Sequence, residues 1–373
     1  MYQKPLVVKS NTIESLVDGD MLGHGDFPDW SKNALSWQQT QLAMCTRVGL
    51  NRAGSSLTAT TFASGIGASS NDWRGGVLAP NGCIYGVPYK NAAVLKIDTA
   101  TDTATTFGSV GAGTTKWYGG VLAPNGFIYC IPNTELSVLK IDPTTDTATT
   151  FGSLASSGWV GGVMASNGKI YGVGPASILK IDPDTDTITT FGNLTSPSWI
   201  GAVLAPNGMI YGIPATSAVV LKIDPTTDTI TTFGSLGATA SKWFSGVLAP
   251  NGCIYGIPYA STAVLKIDPT TDTATTFGAT GGATWEGGCL GADGMVYASP
   301  YSSATVLRID PTTDTMTLFG SFTTDGGKWH GSVLAPNGCI YGMPYNYSSV
   351  FKIGYDLDDV PIDFCLSRHF NKF

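Results

Sequence analysis

Residues 57–65 read LTATTFASG, and the first six look like a piece torn from something longer. Their core, Thr58–Phe62, returns as TATTFG at the end of the string VLKIDPTTDTATTFG, which occurs identically at 138–152 and 264–278. At residue 57 the preceding VLKIDPTTD is missing. The repeats therefore begin with the end of one, and the explanation of that offset decides the fold.

Aligned on tryptophan, the units are led by Trp73, Trp117, Trp159, Trp199, Trp243, Trp285 and Trp329, spaced 44, 42, 40, 44, 42 and 44 residues apart. Tyr85, Tyr129, Tyr171, Tyr211, Tyr255, Tyr297 and Tyr341 follow in register. Each unit holds four short segments rich in β-branched and aromatic residues, separated by turn chemistry. PNG is a hairpin signal, because Asn and Gly tolerate positive φ, and DPTTD supplies Pro with Asp and Thr side chains that cap backbone groups. No helical period persists. Four strands per unit of about 40–45 residues predict an all-β, seven-bladed β-propeller with four strands per blade. The seventh unit stops after SSVFKIGYD (348–356), short of its fourth strand. The orphan LTATTF (57–62) is expected to complete the blade of residues 329–356 and leave no open seam.

The propeller thus occupies residues 55–356. Residues 1–54 form an N-terminal arm and 357–373 a C-terminal tail, each too short for a sizeable core. Both are expected to pack on the propeller or to attach it to neighbouring proteins. The net charge of −7 and a pI near 4.8 argue against nucleic acid or an anionic membrane as partner. No apolar run is long enough for a membrane-spanning helix, so membrane insertion is not expected. The N-terminus carries no apolar segment followed by a cleavage site. Cys83, Cys253 and Cys339 occupy one position in different units, too far apart to pair, and are expected to be reduced, buried thiols. The expected location is cytoplasmic, or the virion if the protein is viral.

In a blade numbered outward from the axis, the PNG and DPTTD turns share one face and barely vary between units. The loops between second and third strands share the opposite face with the blade-to-blade connections, and these vary. Variable loops on a repeated scaffold are where binding resides. Several begin Pro-Tyr, giving Tyr89, Tyr259, Tyr301 and Tyr345. The seven tryptophans sit where each connection enters its inner strand. They form either an aromatic funnel for sugar rings or, as we prefer, wedges between blades, each indole finding one hydrogen-bond partner. The residue after each Trp changes: Arg74, Tyr118, Val160, Ile200, Phe244, Glu286 and His330. Blades six, seven and one place Glu286, His330 and Arg74 side by side, a cluster that acid–base chemistry would need. The plainer expectation is drift at a solvated rim.

Lys96, Lys140, Lys180, Lys222, Lys266, Arg308 and Lys352 form another sevenfold set, expected to bury their stems between sheets with the charged head near the Asp of LKID or a carbonyl. The paired aspartates of DPTTD, such as Asp142 and Asp146, lack the ligand density of a calcium loop and are expected to cap turns. Three histidines in the chain exclude a His-rich metal site, and neither a cofactor nor a metal is expected.

The string VLKIDPTTDTATTFG resembles the V-x-V-I-D-T-x-T-N-T-V unit of YVTN/NHL-type propeller repeats, and GVLAPNGCIYGIP resembles their G-V-A-V-S-P-D-G-x-x-Y-V half. The acidic residue of S-P-D-G is Asn here except at Asp293. This resemblance implies architecture and is nearly silent on function. The Thr/Gly/Ser-rich composition and the polar arm also resemble bacteriophage tail-fibre and virion decoration proteins. Three functional expectations follow. First is a non-enzymatic, virion-associated interaction protein presenting its variable aromatic face to a receptor or neighbouring protein. The second is a carbohydrate-binding lectin using the Trp/Tyr face. The third is a lyase-type enzyme acting through Glu286, His330 and Arg74, a reading that a fully buried Glu286 would remove.

Overall fold

A computed structural model describes residues 6–9, 12–15, 57–67, 71–111, 113–194 and 198–355. Apart from a two-stranded pairing of Leu6–Lys9 with Thr12–Ser15, the described chain forms seven four-stranded antiparallel sheets. Six are built from consecutive strands. The first, for example, runs Trp73–Leu78, Cys83–Pro88, Val94–Asp98 and Thr103–Phe107 from axis to rim. The seventh is completed as the offset repeat requires. Leu57–Phe62 pairs antiparallel with Val350–Tyr355, from Leu57 opposite Tyr355 to Phe62 opposite Val350. The fold is the predicted seven-bladed propeller. The expectation that the two arms dock falls on residues outside those described, the short Leu6–Ser15 strand pair excepted.

Position in the blade explains each strand's composition. The second strand is covered on both faces by adjacent sheets, so Ile128–Pro132 is buried at every residue and reads as a continuous apolar run. The outer strand meets solvent on one face. In Thr147–Phe151 the threonines at 147, 149 and 150 are exposed, while Ala148 and Phe151 are half-buried. Hydrophobic cores form between sheets, each drawing on two blades. Val121, Tyr129 and Ile131 of blade 2 meet Trp159, Ile170 and Ile181 of blade 3. At the closure Trp73, Ile84 and Leu95 of blade 1 pack with Tyr341, Met343 and Val350 of blade 7, and Phe62 of the orphan strand joins them.

A polar clasp locks the blades on the constant face. Lys96 Nζ lies 2.5 Å from Asp146 Oδ2, and Tyr85 donates its hydroxyl to Asp146 Oδ1 at 2.8 Å. Asn81 Nδ2 donates to Pro143 O at 2.8 Å. All three acceptors belong to the DPTTD turn of the following blade. The same Lys–Asp contact recurs at Lys140–Asp186, Lys180–Asp228, Lys222–Asp272, Lys266–Asp314 and Lys352–Asp102. These partners correct two expectations. The lysines reach the next blade's turn rather than the Asp of their own LKID. The two aspartates of the turn also divide their labour: Asp142 caps it, accepting from Thr144 N–H at 2.8 Å, whereas Asp146 is the clasp. Asp146 has φ of 52°, a left-handed conformation that Asp tolerates better than most residues. Among the described residues no cluster of His, Cys, Asp and Glu could hold a metal ion.

Candidate functional site at the axial mouth

The inner strands surround the axis, and in six of the seven blades the register shifts just after the tryptophan, as between Trp73 and Gly76. The shift places Gly75 at φ 82° beside the next blade's Gly119, where a Cβ would lie 3.1 Å from the neighbouring Cα. Glycine suits this close approach and its positive φ and holds the position in six blades, whereas Ser245 takes it in blade 5, beside Gly201. The residue between Trp and that glycine is consequently thrown toward the axis, and the seven variable residues meet there.

The tryptophans themselves do not line the mouth. All seven are at most 4% exposed, and each Nε1–H donates to a backbone carbonyl, as Trp73 does to Ala93 O at 2.9 Å. They are the wedges preferred from the sequence, and the alternative of an aromatic binding funnel made by Trp73, Trp117, Trp159, Trp199, Trp243, Trp285 and Trp329 falls: an indole that packs between sheets has no face left for a sugar. Cys83 and Cys253 are corrected in the other direction, being only half-buried.

The residues after tryptophan are the centre of the site. Glu286 Oε1 accepts from Arg74 Nη2 at 2.6 Å and from Tyr118 OH at 3.2 Å, and lies 2.5 Å from His330 Nε2. Three side chains, from blades 1, 2 and 7, thus converge on one oxygen of the blade 6 carboxylate and tie the propeller across its axis. The expected solvated rim is not there: Glu286 is 0% exposed and His330 4%. Burial opposes ionisation of Glu286, but His330 and Arg74 outweigh it and hold the carboxyl at about 2. Burial, with Arg74 adding to it, lowers His330 below its usual 6.5, so the imidazole is neutral at pH 7 and donates Nε2–H to the carboxylate. Burial would lower Arg74 too, yet Tyr118 and Glu286 keep it firmly charged. Glu286 Oε2, His330 Nδ1, Arg74 Nε and Ser245 Oγ are buried without a hydrogen-bond partner among the described residues.

Around this knot runs a chain of rings. Arg74 lies 4.1 Å from the Tyr118 ring centre, 4.9 Å from Tyr89 and 5.4 Å from Tyr345. Tyr345 neighbours Tyr301 at 6.0 Å, Tyr301 neighbours Tyr259 at 5.3 Å, and Tyr259 stacks on Phe244 at 4.1 Å with planes 5° apart. Tyr89, Tyr118 and Tyr345 are buried, whereas Phe244, Tyr259 and Tyr301 are half-buried. Val160 and Ile200 pack against the buried tyrosines from the opposite arc. The cluster of Glu286, His330 and Arg74 read from the sequence is present, set deeper than expected, and aromatic and aliphatic side chains of blades 2 to 5 complete the ring.

Backbone bonds hold the loops that carry these rings. Lys328 N–H donates to Tyr301 O at 3.0 Å and its Nζ to Asp325 O at 2.9 Å, while Tyr345 N–H donates to Lys328 O at 3.0 Å. Lys116 does the same for the Tyr89 loop, through Tyr89 O and Asn91 O. Lys328 is fully buried, and desolvation pushes its ammonium down to about 8. Sequence reasoning missed these lysines. Their signal was visible, since Lys116, Lys242 and Lys328 each precede a tryptophan.

A family profile described as a repeat of unknown function, DUF6923, matches residues 76–208 and 207–356. No curated protein sequence matches the chain. Among solved structures it is similar to a streptogramin B lyase, at 15% identity and TM-score 0.69, over 80% of this chain and 98% of that one. It is also similar to virginiamycin B lyase from Staphylococcus aureus in complex with quinupristin, at 12% identity and TM-score 0.67, over 80% and 99%. The RRP9 WD40 repeats align at 9% identity and TM-score 0.61, over 80% and 97%. Likeness at such identities concerns the fold alone.

Proposed function

This chain belongs to the DUF6923 repeat family, and we propose that it is a non-enzymatic binding module that engages a protein partner through the aromatic mouth of its axis. One observation carries this reading. Glu286, the group that acid–base chemistry would need, has no exposed surface and is bound by Arg74, His330 and Tyr118. A carboxylate so engaged is a keystone, and what it supports is a pre-organised rim of Tyr259, Tyr301 and Phe244. The arms 1–54 and 357–373 are the proposed attachment to neighbouring proteins. A virion surface is the setting that composition favours.

A reaction at the mouth is the second reading, though not the lyase-type one through a solvent-reached Glu286, which the full burial of that residue removes. It is favoured by the likeness to propeller lyases and by the buried open valences of Glu286 Oε2 and His330 Nδ1. The two readings separate in a capture experiment from the native source with three proteins: wild type, Tyr259→Ser/Tyr301→Ser, and a constant-face control, Thr226→Ala/Thr227→Ala. The binding reading expects one partner retained by wild type and control and lost from the mouth variant. Retention by all three would contradict it.

A further inference from the structure

We propose that the half-buried arc Phe244–Tyr259–Tyr301 receives an arginine side chain from the protein partner. This inference rests on the binding reading above and names the chemistry of the contact.

The molecule supplies its own precedent. On one side of the mouth three tyrosine rings surround the guanidinium of Arg74 at 4.1–5.4 Å, within the range at which a cation is attracted to an aromatic face. The ring series does not end there. It continues through Tyr345 to Tyr301, Tyr259 and Phe244 without a gap larger than 6.0 Å. Over the rings of this second half no Lys or Arg lies among the described residues, the Lys328 ammonium meeting Tyr301 only at its carbonyl oxygen, 3.3 Å away; the other cation–ring contacts all lie at the clasps or beside Trp117 and Trp243. One half of the aromatic ring is filled from within, and the other half is open.

Charge favours the same occupant. Burial raises the phenols of Tyr259 and Tyr301, and the Glu286 carboxylate is the next cause in both; at Tyr259 the opposing effect of Arg74 is smaller. The field of Glu286 is thus the strongest that any one charge exerts on both phenols of the open arc, on a chain of net charge −7. A planar guanidinium stacks on aromatic faces better than an ammonium does. A sugar ring or an aliphatic side chain would gain from the ring faces but not from the field.

The test is a titration of full-length protein carrying 13C-labelled tyrosine and phenylalanine, followed by NMR. The probes are N-acetyl-arginine amide, N-acetyl-leucine amide and a methyl glycoside, each at low and high salt. The arginine probe is expected to shift Tyr259, Tyr301 and Phe244 saturably, about fivefold more tightly than the leucine probe, with the preference falling at high salt. Tyr301→Leu and Phe244→Leu should each lose the preference, and an unchanged melting temperature in either would show that the fold is intact. Equal or tighter binding of the leucine amide or the glycoside overturns the arginine assignment and leaves the binding module standing. No shift of the arc by arginine overturns the assignment as well. Only capture that survives Tyr259→Ser/Tyr301→Ser removes the underlying reading.

Discussion

Arg308 Nη2 lies 3.4 Å from Asp293 Oδ2 of its own blade, whereas the six lysines at the equivalent position reach an aspartate of the following blade. The reason is the offset of the repeat. In blade 7 the third strand and the outer strand, Leu57–Phe62, are not joined by a DPTTD turn, so blade 6 has no following turn to clasp. Two departures from the repeat compensate. Asp293 replaces the asparagine of PNG, and Arg308 replaces the lysine, with Tyr297 OH donating to Asp293 Oδ2 at 2.7 Å.

The same chemical change should therefore act differently in different blades. Asp293→Asn is expected to cost about 1 kcal/mol or less, because the Arg308 side chain is 34% exposed and its ion pair is screened. The reverse change, Asn251→Asp, removes the Nδ2 donor to Pro311 O and brings a carboxylate toward Asp314. It is expected to cost about 1–3 kcal/mol. Urea unfolding of the two variants checks the order.

Closure makes a second prediction. Removing residues 1–56 leaves the strand Leu57–Phe62 and all its pairing in place, and the propeller should melt as before. Removing residues 1–62 strips six cross-strand pairs from Val350–Tyr355 and exposes that edge. The shorter protein is expected to melt lower and to associate, as unpaired edges do. Light scattering alongside the thermal melt distinguishes the two.

The indoles should matter for stability and not for binding. Trp243→Phe loses the bond to Ala263 O, made at 2.8 Å, and leaves a void between blades 4 and 5. A loss of about 2–3 kcal/mol is expected. Binding of a mouth probe at 25 °C should be unchanged, as measured by the same titration on wild type and variant.

The blade count, the four strands and the closing role of residues 57–62 were legible because each is encoded locally: a Trp, a PNG, a DPTTD, and one fragment out of place. The variable position after tryptophan was legible as a set of neighbours, but its depth was not. Depth depends on how far the register shift at Gly75 and its equivalents throws each side chain toward the axis, and on Tyr118 reaching across to Glu286. The clasp was misread for a related reason. Lys96 and Asp98 are two residues apart in sequence, but the partner of Lys96 is Asp146, fifty residues on, brought near only by the stacking of blades.

Acidification should loosen the axis in two stages. His330 is lowered from 6.5, so the folded protein binds fewer protons than the unfolded chain as pH falls through that value, and stability begins to drop there. Glu286 is held at about 2 against an ordinary 4.5, so its contribution is complete above 4.5 and is lost as pH falls toward 2. A series of melts from pH 8 to pH 2 should show both losses. In Glu286→Gln the lower one should be missing.

The most direct measurement is the stability of Glu286→Gln at pH 7. The change preserves shape and removes the charge, leaving the guanidinium of Arg74, whose side chain is 12% exposed, without its counter-ion. If Glu286 is the keystone of a closed mouth, the variant should be less stable by about 3–5 kcal/mol, and the aromatic arc should lose its defined probe shifts. A variant as stable as wild type, with the arc unchanged, would contradict the account.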